Sequence, residues 1–98
     1  MDQFKSLKNK TILITGTSRG LGRKIAEGFL NNGSKVIGVS KKKNQKRLIQ
    51  NKNYTHFFCD LAKINEILKT LNKIKKKVNK IDVLINNAGV TKENVNSL

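Results

Sequence analysis

Apolar residues in this chain form short runs that are separated by longer amphipathic segments. Each run is bounded by polar or turn-forming residues, which predicts a strand. Because the runs are nearly continuous in apolar character, we expect strands buried on both faces, as in a parallel sheet covered by helices. The four predicted strands are Thr11–Ile14, Lys35–Val39, Tyr54–Cys59 and Ile81–Ile85.

The segments between these runs predict three helices. The first spans about Leu21–Asn31 and precedes a glycine, the residue that most often ends a helix. A short second helix carries Leu48 and Ile49. The third lies between Ala62 and Asn79, where apolar positions at spacings of three and four predict one buried stripe. That stripe consists of Ile64, Ile67, Leu68, Leu71, Ile74 and Val78.

A glycine-rich turn follows the first strand and leads directly into the first helix. Gly16 allows a sharp turn, Gly20 lets backbone approach a phosphate, and Gly22 lets the helix pack closely. Backbone N–H groups around Ser18–Leu21, at the positive end of a helix dipole, can bind pyrophosphate oxygens. The turn reads Thr15-Gly16-Thr17-Ser18-Arg19-Gly20-Leu21-Gly22 and predicts a dinucleotide-binding site.

The charge of the chain is strongly positive. Its 98 residues, enough for one small domain, include 21 Lys and Arg against 6 Asp and Glu, a formal charge of +15. Such an excess is typical of nucleic-acid binding. The lysines are scattered along the chain, however, and the chain is also rich in Asn and Ile. A genome-wide bias toward A/T-rich codons explains all three excesses together. Because no zinc-finger, ribonucleoprotein or helix-turn-helix pattern is present, we expect no specific nucleic-acid partner.

The remaining candidate chemistry is sparse. Cys59 is the one cysteine and cannot form an internal disulfide, so we expect a buried thiol in a cytoplasmic protein. His56 is the one histidine, with no carboxylate or cysteine beside it. We therefore interpret it as a packed or surface residue and predict no metal site. No apolar run reaches the roughly 20 residues of a membrane span.

With these elements in order, the sequence resembles the short-chain dehydrogenase/reductase family over about Leu7–Asn94. Thr15–Gly22 fits the family's Thr-Gly-x-x-x-Gly-x-Gly motif, and Asp60-Leu61 follows the third strand, where the family has an acidic residue. The family's second signature is Asn86-Asn87-Ala88-Gly89, directly after the fourth strand. The next residues, Val90–Asn94, look like those of 3-oxoacyl-(acyl-carrier-protein) reductases.

This resemblance implies a Rossmann-type α/β fold with strand order 3-2-1-4 and a nicotinamide cofactor. Asp60 and Leu61 would contact adenine, and the backbone of Asn87, Ala88 and Gly89 would pack on ribose. NAD enzymes of this fold carry an acid about twenty residues beyond the glycine motif, at the second strand end. Here that place holds Ser40 and Lys41.

We therefore expect NADP rather than NAD. Arg19, Ser40 and Lys41 are placed in the sequence to meet a 2′-phosphate, and each charge-assisted hydrogen bond contributes roughly 1.5–3 kcal/mol. Lysines are frequent throughout the chain, however, so the Lys41–Lys43 run also fits the alternative that it has no role in cofactor binding.

The family's catalytic residues have no counterpart in this chain. The resemblance implies a serine and a Tyr-x-x-x-Lys motif beyond Gly89, whereas the only tyrosine, Tyr54, is followed four residues later by Phe58. We therefore expect residues 1–98 to be the N-terminal cofactor-binding part of one domain, its catalytic part absent, in a longer reductase that acts on a small carbonyl or alcohol substrate. That longer protein would form homo-oligomers. A stand-alone, non-catalytic dinucleotide-binding module and a basic nucleic-acid-binding domain are the alternatives.

Overall fold

The computed structural model describes residues 7–17, 20–41 and 48–87. Four parallel strands form one sheet in the order β3-β2-β1-β4, which confirms the predicted α/β class and strand order. Within these residues, two helices accompany the sheet. The elements are β1 (Thr11–Thr15), α1 (Gly20–Asn31), β2 (Lys35–Ser40), β3 (Tyr54–Phe58), α2 (Ile64–Lys77) and β4 (Val83–Ile85).

The core lies on both faces of β1, the strand that pairs with β2 on one side and β4 on the other. Ile12 and Ile14 have no exposed surface and pack in the cluster that includes residues of α1. Leu13 points the opposite way and packs with Ile37 and Ile74. This alternation follows from the two-residue period of a strand, and it explains why the whole of β1 is apolar or small.

The helix α1 is held closely to the sheet. It buries Gly22, Ala26, Phe29 and Leu30. The apolar spacing of Ile25, Ala26, Phe29 and Leu30 predicts this face in part, since Ile25 is only partly buried. The helix ends as expected, since Gly33 has a φ of 87° and its N–H donates to the carbonyl oxygen of Leu30 at 3.0 Å.

The helix α2 is held less closely, and the prediction of a six-residue buried stripe is wrong in part. Ile74 is buried, but Ile64, Leu68 and Leu71 expose 66%, 53% and 43% of their surfaces. The other buried residue of α2 is Thr70, so the contact line runs along Thr70 and Ile74. Leu68 lies about 120° around the helix from Ile74, too far to reach the sheet.

Three further boundaries differ from the sequence expectation. Leu48 and Ile49, predicted to lie in a short helix, are in no helix, and the preceding residues 42–47 lie outside the described part of the chain. The strand β3 ends before Cys59, which is buried with its thiol free, as predicted. The strand β4 begins two residues late, because the Asp82 carboxylate accepts a hydrogen bond from the Thr11 N–H at 2.8 Å. In the described ranges, no helix is long and apolar enough to cross a membrane.

Candidate functional site

The glycine turn occupies the carboxyl end of β1. Gly16 and Gly20 have φ values of 75° and 63°, a region that favours glycine. The N–H of Gly16 donates to the carbonyl oxygen of Val39 at 2.7 Å, which ties the turn to the end of β2. Open α/β sheets bind ligands at this edge, where the strand order reverses between β1 and β4.

The first turn of α1 leaves room for a ligand on one side and none on the other. A Cβ built on Gly22 would collide with the carbonyl oxygen of Gly16, so the helix begins in close contact with the turn. A Cβ built on Gly20 would meet no described atom within 4 Å, and Leu21 is 67% exposed. Open space at a helix N-terminus fits the pyrophosphate of a dinucleotide. Ser18 and Arg19 lie outside the described residues.

The two asparagines after β4 fasten the turn from the other side. The Thr15 hydroxyl donates to Asn86 Oδ1 at 3.0 Å and accepts from the Asn87 N–H at 2.8 Å. The Asn87 side-chain amide donates to the carbonyl oxygen of Gly16 at 3.2 Å. Asn87 therefore lies at the site that the sequence predicts, and its side chain positions the turn. Ala88 and Gly89 lie outside the described residues.

The carboxyl ends of β2 and β3 bring the other predicted residues together. Ser40 is buried, whereas the Lys41 side chain is 63% exposed and its Nζ lies 3.9 Å from Asp60 Oδ1. The same Asp60 oxygen accepts from the Ala62 N–H at 3.0 Å, and Leu61 is 39% exposed. An exposed pair at this distance contributes little to stability, so the ammonium of Lys41 is available to a ligand.

Tyr54 and His56 make hydrogen bonds to two residues of the candidate site, contacts that the sequence did not predict. The Tyr54 hydroxyl lies 2.8 Å from Thr17 Oγ1 and 2.6 Å from His56 Nδ1, and His56 Nε2 lies 2.8 Å from Ser40 Oγ. Gly38 makes room for them, since a Cβ there would collide with the Tyr54 and Thr17 oxygens. The one available signal was the alternation of Tyr54 and His56 along a strand, which places both on one face.

Burial controls the protonation of both rings. It raises the pKa of Tyr54, an effect that the hydrogen bond between Tyr54 and Thr17 and the charge of Arg23 partly offset. Burial also lowers the pKa of His56 below its ordinary value of 6.5. At pH 7 the phenol therefore keeps its proton and the imidazole is mostly neutral.

A parallel sheet with a glycine turn between β1 and α1, at the point where strand order reverses, defines a Rossmann-type dinucleotide-binding fold. The family model for the short chain dehydrogenase matches residues 10–98. The chain belongs to the short-chain dehydrogenase family.

Similar proteins agree with this assignment. The 3-oxoacyl-(acyl-carrier-protein) reductase FabG of Salmonella typhimurium is 34% identical over 96 residues, a match that covers 92% of this chain and 38% of that protein. The structure of the Pseudomonas aeruginosa RhlG/NADP active-site complex is 27% identical with a TM-score of 0.77, covering 93% of this chain and 39% of that one. The NADH-dependent reductase A1-R′ complexed with NAD is 28% identical with a TM-score of 0.72, covering 89% and 39%. This chain therefore spans well under half the length of these relatives.

Proposed function

We propose that this chain is the NADP-binding portion of a reductase that transfers hydride between NADPH and a carbonyl substrate. The glycine turn of Gly16–Gly22 would hold the pyrophosphate, and Asp60 and Leu61 would contact adenine. The Asn87 backbone, with Ala88 and Gly89, would pack on ribose. Bound NADPH supplies the hydride, while the residues of this chain bind and orient it.

The observation that carries the choice of NADP is the end of β2. Ser40 and Lys41 stand where an NAD enzyme has an acid, so a 2′-phosphate would meet a hydroxyl and an ammonium. The nearest described carboxylate to Lys41 is that of Asp60, and their 3.9 Å separation leaves the pair weakly coupled. Arg19, from the glycine turn, would add a second cation.

The substrate proposal rests on the relatives. Since FabG of Salmonella typhimurium covers 92% of this chain, we propose a 3-oxoacyl thioester as the carbonyl substrate. We propose further that residues 1–98 form the N-terminal part of one domain in a homo-oligomeric, cytoplasmic protein. Because no Tyr-x-x-x-Lys motif occurs in these residues, turnover would require chain beyond them. The 98-residue chain should bind NADPH without oxidising it in the presence of an acetoacetyl thioester.

Calorimetric titration with NADPH and NADH tests the cofactor. The chain should bind NADPH about tenfold more tightly, the advantage of one charge-assisted hydrogen bond. Lys41→Asp should lower NADPH affinity by about five- to tenfold, since the ammonium is partly screened by solvent. Equal affinities for the two cofactors in the unmodified chain would contradict the proposal.

The matched control changes the same charge at the other end of the same strand. Lys35 is exposed and begins β2, so Lys35→Asp alters the net charge equally without approaching the site. Its effect on either affinity should stay below about twofold. If Lys35→Asp weakened NADPH as much as Lys41→Asp, the preference would reflect net charge rather than a 2′-phosphate site.

A further inference from the structure

A continuous chain of hydrogen bonds connects the glycine turn with the end of β2. It runs from Thr17 Oγ1 to the Tyr54 hydroxyl at 2.8 Å, and from that hydroxyl to His56 Nδ1 at 2.6 Å. From His56 Nε2 it continues to Ser40 Oγ at 2.8 Å. Its two ends therefore lie at the proposed pyrophosphate site and at the proposed 2′-phosphate site.

The imidazole is fixed between two aromatic neighbours on the same strand. The ring centroid of Phe58 lies 4.7 Å from that of His56, edge-on at 61°, and the ring of Tyr54 lies 5.8 Å away on the other side. With both ring nitrogens hydrogen-bonded as well, His56 can change its tautomer but has little freedom to rotate.

A neutral imidazole has one N–H donor and one acceptor nitrogen, so the chain has two internally consistent arrangements. In the first, His56 Nε2–H donates to Ser40 Oγ, while Nδ1 accepts from the Tyr54 hydroxyl. In the second, the Ser40 hydroxyl donates to Nε2, while Nδ1–H donates to the oxygen of Tyr54. Burial keeps the imidazole neutral at pH 7, so these two states are the relevant ones.

The two arrangements give Ser40 opposite capacities toward a ligand. In the first, the Ser40 proton is free and can be donated. In the second, that proton is already used, and only oxygen lone pairs remain. A 2′-phosphate has acceptor oxygens and selects the first arrangement, whereas a 2′-hydroxyl has a proton to donate and is compatible with the second.

We infer that His56 is a positioning residue for cofactor choice: its Nε2–H holds the Ser40 hydroxyl as a donor to the 2′-phosphate of NADP. This inference rests on the proposed cofactor function. It gives the strand β3 a role in specificity, although His56 itself contacts Ser40 and not the cofactor. Tyr54 supports the same arrangement by donating its proton to Nδ1.

The tautomer can be observed directly, because His56 is the only histidine among the 98 residues. The imidazole ¹⁵N shifts of histidine-labelled chain would be recorded with adenosine 2′,5′-bisphosphate and with adenosine 5′-monophosphate. The Nε2–H tautomer should predominate with the bisphosphate and should be less populated with the monophosphate. An identical tautomer mixture with both bound nucleotides would overturn the inference.

Affinity measurements on variants distinguish a positioning role of His56 from a purely structural one. His56→Leu should lower the affinity for the bisphosphate by about tenfold, the value of one charge-assisted hydrogen bond, and that for the monophosphate by less than about twofold. His56→Gln provides an amide N–H and should restore at least half of the lost preference. Thr55→Val is the control, since Thr55 lies on the same strand but on the opposite face.

Tyr54→Phe keeps the ring and provides a second test if His56→Leu does not fold. Tyr54→Phe removes the Nδ1 partner of both arrangements, so Ser40 alone sets the tautomer, and the bisphosphate-bound chain should still hold more of the Nε2–H tautomer than the monophosphate-bound chain. An equal tautomer mixture with the two nucleotides would overturn the inference, as would an undiminished phosphate preference in folded His56→Leu, and both results leave the cofactor proposal standing. If neither nucleotide bound the unmodified chain, the cofactor proposal would fail, and the inference with it.

Discussion

The two helices of this fold pack on the sheet in different ways. The helix α1 buries four residues and begins so close to the glycine turn that a Cβ on Gly22 would collide with the Gly16 carbonyl. The helix α2 buries only Thr70 and Ile74, and it leaves Leu68 about half exposed. The helix that forms part of the proposed cofactor site is thus the one fixed by close packing, as a preformed phosphate site requires.

The largest effect should come from adding one methyl group at this close contact. Gly22→Ala places a Cβ against the backbone of Gly16 and should lower the free energy of unfolding by roughly 2–3 kcal/mol, because backbone must move. Gly28→Ala is the matched control in the same helix, where a Cβ meets no described atom within 4 Å. It should raise stability by roughly 0.5–1 kcal/mol. Urea unfolding measures both, and equal effects would contradict the packing account.

A second pair of substitutions compares the two helices directly. Leu30 in α1 is 8% exposed, whereas Leu68 in α2 is 53% exposed. Leu30→Ala should cost about 2 kcal/mol through lost burial and a cavity, and Leu68→Ala should cost less than about 1 kcal/mol. Thermal unfolding would measure the two variants. A cost at Leu68 as large as that at Leu30 would show that α2 is packed as closely as α1.

The sequence predicted these two helices with different success. In α1 the apolar face includes three of the four buried residues, Ala26, Phe29 and Leu30. In α2 the apolar positions span an arc of about 120°, and lysines fill most of the rest. Periodicity cannot show which part of such an arc contacts the sheet, and the structure places the contact on the side of Thr70, a residue that hydrophobic patterning ignores.

The proposed cofactor site likewise has one part that the sequence predicts and one part that it does not. The glycine turn was predictable because glycine spacing has a direct conformational meaning, and Gly16 and Gly20 do have positive φ. The hydrogen bonds of Tyr54 and His56 were not predictable, since they depend on the register of β3 against β2. The family resemblance implies that these two strands are neighbours, but local pattern does not give their register.

The smallest expected effect concerns the edge of the sheet. The hydrogen bond from the Thr11 N–H, with a further contribution from Lys80, lowers the pKa of Asp82 below its ordinary value, although desolvation opposes the shift. A carboxyl group with a lowered folded-state pKa contributes stability above its unfolded pKa, and this contribution is lost as pH falls through the folded pKa. The thermal midpoint should therefore fall less steeply below about pH 4 in Asp82→Asn than in the unmodified chain. Parallel pH profiles would contradict this.

A residue-by-residue map of NADPH binding on the isotopically labelled chain tests directly whether the glycine turn holds the cofactor. If the glycine turn is the cofactor site, amide shifts should move at Gly16, Gly20 and Ser40, at the carboxyl edge of the sheet. Amides around Leu68 and Leu71 on α2 should not move. Changes confined to α2, or no saturable change at the glycine turn, would rule out a cofactor site at that turn.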